Sequence, residues 1–215
     1  MTRSALDETP ATIIIAGLTI AVSALITLLA VEAYAAIGGG FIPASLSVTL
    51  TAPHGMILLP FWLTPLTATL VHGGFLHLGL NMVMMVYCGR MLERALGWRA
   101  IVTLYLVGAY AGAAGHWAFE PMSTAPMIGA SGAISAILAA YAMLFAERPV
   151  PAMGPIPSRV VRVVWLASAW IVIQLMTGLA SGGGSSAVAI GAHIGGFAAG
   201  LLLARPLLLW RYRGA

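Results

Sequence analysis

The sequence predicts an all-α polytopic membrane protein: one bundle of six transmembrane helices with a long interfacial first loop. Three observations carry that reading. Of 215 residues, 60% are hydrophobic and only 7% charged, against about 25% charged in soluble domains, and the mean hydropathy is +0.99. The apolar residues gather into six runs that approach or exceed the ~20 residues needed to cross a bilayer. All ten basic residues are arginines, and they fall on one side once those spans are drawn, as the positive-inside rule requires.

In chain order, residues 1–10 form a short polar N-terminus, and Ala11 to Ile37 is span 1. That run exceeds the roughly 7–15 residues of a signal-peptide core, and Arg3 is its only flanking charge, so it is read as a span. The connection from Gly38 to Val71 is apolar but broken by Pro43, Pro53, Pro60 and Pro65. Such a segment suits the interface rather than a crossing. Span 2 is expected over His72–Met91, span 3 over Arg99–Phe119 and span 4 over Met127–Ala146. A proline-rich link precedes span 5, Val160–Ala180. The Gly182–Ser186 hinge precedes span 6, Ala187–Leu209. Residues 11–209 make one domain, and 210–215 form a basic tail.

Arg3, Arg90, Arg94, Arg99, Arg148, Arg159, Arg162, Arg205, Arg211 and Arg213 share one side, so both termini are expected in the cytoplasm. The sequence pI is near 9.7. Its arginines are scattered between apolar runs, however, and form no basic stripe of the kind that binds nucleic acid. Cys88 is alone, which excludes an intrachain disulfide. It reads as a small packing residue.

Polar groups inside spans are costly and mark function. Four stand out: His77 and Asn81 on span 2, Ser131 on span 4 and His193 on span 6. All three spans enter from the outer side, and the four residues are expected one or two turns in, roughly 5–10 Å deep. His77 and Asn81 are four apart and share a helical face. Gly191/Gly195 and Gly196/Gly200 form G-x-x-x-G pairs around His193, and span 4 carries small residues every fourth position. Close packing of these spans brings His193 to Ser131, the relation of a nucleophile to its general base. None of the six acidic residues belongs to the cluster, so a Ser–His dyad is expected rather than a triad. His77, Asn81 and the Ser131 N–H are expected to form an oxyanion hole, with Gly129 and Gly132 letting the backbone present that N–H.

His72 and His77 are five apart and lack a third ligand, so no metal site is expected. His72 is expected to support the first loop. His54 and His116 read as interface or packing residues.

These residues resemble the rhomboid family of intramembrane serine proteases. H-G-G-F-L-H-L-G-L-N-M resembles the HxxxN block, with His77 and Asn81 in the motif positions. G-A-S-G resembles the nucleophile motif, which makes Ser131 the nucleophile, and A-H-I-G-G-F-A-A-G resembles the histidine block with His193 and Gly196. The L-E-R-A-L-G stretch at Leu92–Gly97 is also family-like. The resemblance implies an endopeptidase that cleaves transmembrane segments of other membrane proteins without a cofactor, often after a small residue. It also implies a bacterial inner membrane and a site toward the outer face. The long first loop resembles the family's interfacial loop, and substrate entry through movement of span 5 or of the loop before span 6 is implied in the same way. The chain departs from the pattern in two places. Leu63-Thr64 stands where a Trp-Arg pair is common, with Trp62 one place earlier, and Ser135 stands where some members place an aromatic that stacks on the histidine.

Two other classes compete. A catalytically silent relative that binds membrane clients needs neither Ser131 nor His193. A small transporter or channel requires a polar path through the bilayer, and here the polar residues stop at one depth. The sequence leaves substrate and oligomeric state open.

Overall fold

The computed structural model describes residues 8–52, 55–145, 153–180 and 189–213. Arg3, His54, Glu147, Arg148 and the Gly182–Ser186 hinge lie outside the described residues, as do residues 1–7 and the last two of the basic tail. Among the described residues the fold is helical, with two isolated bridges and no strand. Its α-helices are α1 (Pro10–Leu28), α2 (Glu32–Gly39), α3 (Thr64–Thr67), α4 (Phe75–Leu96), α5 (Trp98–Phe119), α6 (Ser131–Phe145), α7 (Ser158–Ala180) and α8 (Ile190–Arg211).

By length and composition, α1, α4 and α8 can cross a membrane. The other three expected spans do not meet that test. α5 has 22 residues, but Arg99, its glycines, its tyrosines and His116 dilute its hydropathy. α6 is described over 15 residues, shorter than a full crossing.

Span 1 was expected to run unbroken to Ile37, and it does not. α1 stops at Leu28, Ala30 turns left-handed at φ 54°, and α2 begins at Glu32. The Val31 N–H reaches back to the Ile26 carbonyl at 3.1 Å and the Ala30 N–H to that of Thr27 at 3.1 Å, a Schellman closure. Hydropathy cannot register such a break, because Leu28, Leu29 and Val31 remain apolar and exposed.

The long connection after α2 is ordered where described. The Phe41 and Met127 backbones exchange N–H···O bonds of 3.0 and 2.8 Å. The Thr67 hydroxyl donates to the Gly39 carbonyl at 2.6 Å, and the Tyr110 hydroxyl to that of Trp62 at 2.9 Å. These bonds tie the connection both to itself and to α5.

One end of the bundle is cationic. Arg94 at the end of α4 pairs with Glu8 before α1 at 2.8 Å. The Tyr212 hydroxyl after α8 donates to the Ala95 carbonyl at 3.0 Å. Arg99, Arg211 and Arg213 line one recess with Trp98 and Trp210 at this end. At the same end Glu93 is buried. Its carboxylate accepts the N–H groups of Ala11 and Thr12 at 2.9 and 2.8 Å and the Thr12 hydroxyl at 2.6 Å. Glu93 thus caps the N-terminus of α1 from another helix, where a negative charge complements the helix dipole.

The centre of the fold is a three-helix contact of small residues. α8 packs most extensively on α5 and α6, and α5 on α6. Gly196 and Gly200 lie against the backbone of Gly132 and Ala136 on α6, while Gly191 and Gly195 lie against Gly115 and Ala111 on α5. A Cβ at Gly196 would collide with the Gly132 carbonyl oxygen, so only glycine permits this approach. The expected meeting of α6 and α8 is present, with α5 as a third partner. The Gly108–Gly112 spacing on α5 was the available signal for it.

Candidate active site

The packing of α6 against α8 sets Ser131 Oγ 2.8 Å from His193 Nε2, within hydrogen-bond range. Both residues are buried, Ser131 at 7% and His193 at 3% exposure. The other ring nitrogen of His193, Nδ1, is buried without a hydrogen-bond partner among the described residues, none of whose carboxylates stands behind this imidazole.

Ser131 was expected a turn or more inside its helix. It is instead the first residue of α6. Gly129 causes the difference: at φ 107° it holds Met127–Ala130 outside the helix. Gly129 is also the residue that His77 touches, since a Cβ there would lie 2.8 Å from Cε1 of the ring. Gly132 carries no such restriction. It lies within α6, and an added Cβ would meet Gly112 Cα at 3.5 Å, an ordinary contact. The demand on the backbone therefore falls on Gly129. Because α6 starts at Ser131, its first N–H groups lack intrahelical acceptors and present positive partial charge beside the hydroxyl.

His77 is the third residue of α4, not the sixth, because Gly73 and Gly74 delay the helix and Gly74 takes φ 98°. His77 Nδ1 accepts the Gly73 N–H at 3.3 Å, which leaves the proton of the neutral ring on Nε2, the nitrogen facing Gly129. Asn81 is fully buried one turn later. Its Nδ2 donates to the His77 carbonyl at 2.9 Å, which uses one of two amide hydrogens, and its Oδ1 has no partner among the described residues. The fold thus places Ser131, His193, His77 and Asn81 in the first two turns of three helices that start at the end opposite the described arginines, with Ser131 bonded to His193, His77 against Gly129 and Asn81 bonded to the His77 carbonyl.

His72 was expected to support the first loop, and its ring bonds instead join α1 to the residue before Ser131. The ring is buried, and its Nε2 accepts the Ala130 N–H at 3.3 Å. Its Nδ1 lies 2.8 Å from Ser23 Oγ, which itself donates to the Leu70 carbonyl at 2.7 Å. With Nε2 accepting, Nδ1 is the protonated nitrogen and Ser23 Oγ the acceptor. The Gly129 N–H meanwhile donates to the Ala68 carbonyl at 2.9 Å. Both residues before the serine are therefore anchored to the segment leading into α4. Sequence spacing offered no sign of this, because Ser23 and Ala130 lie 49 and 58 positions from His72.

Among the described residues, no three His, Cys, Asp or Glu gather as ligands for a metal ion. Cys88 is buried within α4, and His116 is buried where the end of α5 packs against Gly191 at the start of α8.

A bundle of apolar helices, three of them long enough to cross a bilayer, with a serine hydroxyl hydrogen-bonded to a buried histidine, defines a class, the integral membrane proteins with a buried polar pair. The family follows from comparison. The rhomboid domain profile matches residues 60–210, well over half of the chain, and the protein belongs to the rhomboid family. It is similar to RHOMBOID-like protein 4 of Arabidopsis thaliana, with 31% identity over 150 residues that cover 69% of this chain and 35% of the relative. The chain thus spans about a third of the length of that curated relative.

Proposed function

We propose that the protein is an intramembrane serine endopeptidase that cleaves transmembrane segments of membrane-protein substrates with a Ser131–His193 dyad. The observation that carries this reading is the 2.8 Å approach of Ser131 Oγ to His193 Nε2 in a buried setting. Ser131 Oγ transfers its proton to Nε2 and attacks the scissile carbonyl carbon. The carbonyl oxygen becomes an oxyanion, which the Ser131 N–H, the His77 Nε2–H and the remaining Asn81 amide hydrogen stabilise. The imidazolium returns the proton to the amide nitrogen, the C–N bond breaks, and an ester to Ser131 remains. A water deprotonated by the same nitrogen hydrolyses that ester and regenerates the hydroxyl. No cofactor is called for.

In the membrane, α1, α4, α5, α6, α7 and α8 act as six spans of one domain over residues 11–209. Both termini are cytoplasmic, and the dyad faces the outer side of a bacterial inner membrane. The gathering of described arginines at one end, opposite the serine, supports this orientation.

The test is labelling of detergent-purified protein with a serine-directed fluorophosphonate probe, beside Ser131→Ala and His193→Ala. Wild type is expected to label and both variants to stay dark; equal labelling of all three removes the dyad. Cleavage of model transmembrane substrates then separates a protease from a silent relative that binds membrane clients. If wild type and Ser131→Ala leave several substrates equally intact, the silent relative is the correct reading.

A further inference from the structure

α7 lies on the outside of the bundle. Val160, Val164, Trp165, Val172 and Met176 are exposed, and among its described residues Trp170 alone is buried, at 2% exposure. An indole driven into the core from a helix that is elsewhere half-buried or exposed must find a partner for its N–H. Here that partner is polar and close. Trp170 Nε1 donates to Ser135 Oγ at 2.7 Å, and Ser135 Oγ donates to the Ser131 carbonyl at 2.7 Å. The Trp170 ring stands against the His193 ring in a T-shaped arrangement, with centroids 6.4 Å apart and planes at 62°.

These contacts join one side chain to both members of the polar pair. Among the described residues His193 is hydrogen-bonded on one nitrogen only, because Nδ1 finds no partner there. Packing must therefore supply the restraint on ring rotation that a second hydrogen bond would otherwise give. Trp170 cannot turn away without breaking its bond to Ser135. Ser135 in turn holds the carbonyl of Ser131 in the first turn of α6.

We propose that Trp170 is a positioning residue, supplied by α7, which orients His193 by ring packing and steadies Ser131 through the Ser135 hydroxyl. This rests on the reading of Ser131 and His193 as the reacting pair.

The experiment measures the pseudo-first-order rate of fluorophosphonate labelling against pH, with thermal unfolding in the same detergent. Variants are Trp170→Phe, Trp170→Ala, Ser135→Ala and the double variant Trp170→Phe/Ser135→Ala. Trp165→Ala, exposed on the same helix, is the control. Trp170→Phe and Ser135→Ala are each expected to slow labelling on the order of tenfold, the scale of a small misplacement of reacting groups. The double variant should be no slower than the slower single one, because both remove the same bond. Trp170→Ala should be slowest and should shift the pH profile of labelling, with Trp170→Phe recovering part of the rate. If wild type labels in a Ser131-dependent manner while Trp170→Phe and Ser135→Ala match its rate and pH profile, the positioning role is overturned and the dyad stands. If wild type does not label, both fall. Should Trp170→Ala fail to fold, Ser135→Ala decides alone.

Discussion

His72 accepts the backbone N–H of Ala130 through Nε2 at 3.3 Å, which fastens the residue before Ser131 to the segment that enters α4. The same ring bonds Ser23 on α1, so three parts of the chain meet on one imidazole. His72→Phe keeps the ring and removes both bonds, leaving the Ala130 N–H buried and unpaired. The expected cost is about 1–3 kcal/mol of stability. Labelling should also slow, since the serine turn loses its anchor. Thermal unfolding and labelling of the purified variant check both, and an unchanged melting temperature would show that the contact carries no weight.

Gly129 and Gly132 flank the G-A-S-G motif alike in sequence but differ in space. Gly129→Ala places a Cβ 2.8 Å from His77 and forces a side chain onto φ 107°. Labelling is expected to fall by on the order of a hundredfold, as the ring and the turn both move. Gly132→Ala meets only ordinary contacts, from 3.5 Å outward, and is expected to keep most of its labelling. Equal losses at the two positions would contradict this division.

Asn81 and His77 are expected to act on the transition state. His77→Ala and Asn81→Ala should each lower kcat for a cleavable transmembrane substrate by about 10²–10³, with little change in KM. A rise in KM at constant kcat would instead make them substrate-binding residues.

Glu93 has a purely structural duty at the opposite end. Glu93→Ala removes the acceptor for two N–H groups and one hydroxyl at the start of α1. A loss of about 2–4 kcal/mol is expected from the orphaned donors. The labelling rate of protein that remains folded should match wild type, because the cationic end is remote from Ser131. A selective fall in that rate would mean that the ends communicate.

Hydropathy and charge made the membrane class legible from sequence alone. Three separate motifs also marked Ser131, His193, His77 and Asn81 as residues to bring together. Those signals are local: an apolar run needs only its own residues, and a G-x-x-x-G pair announces that something will pack closely. The break at Ala30 escaped such reading because a left-handed residue between Leu29 and Val31 leaves hydropathy unaltered. The start of α6 at Ser131 escaped it because periodicity does not register a positive φ at Gly129.

What tertiary structure decided is which distant groups satisfy one another. Glu93 caps a helix 82 positions away, His72 holds Ala130 across 58, and Trp170 reaches Ser135 across 35. None of these pairings has a signature in spacing, because each depends on where packed helices bring buried donors and acceptors within 3.5 Å. A buried polar group must find a partner, and only the assembled bundle determines which one.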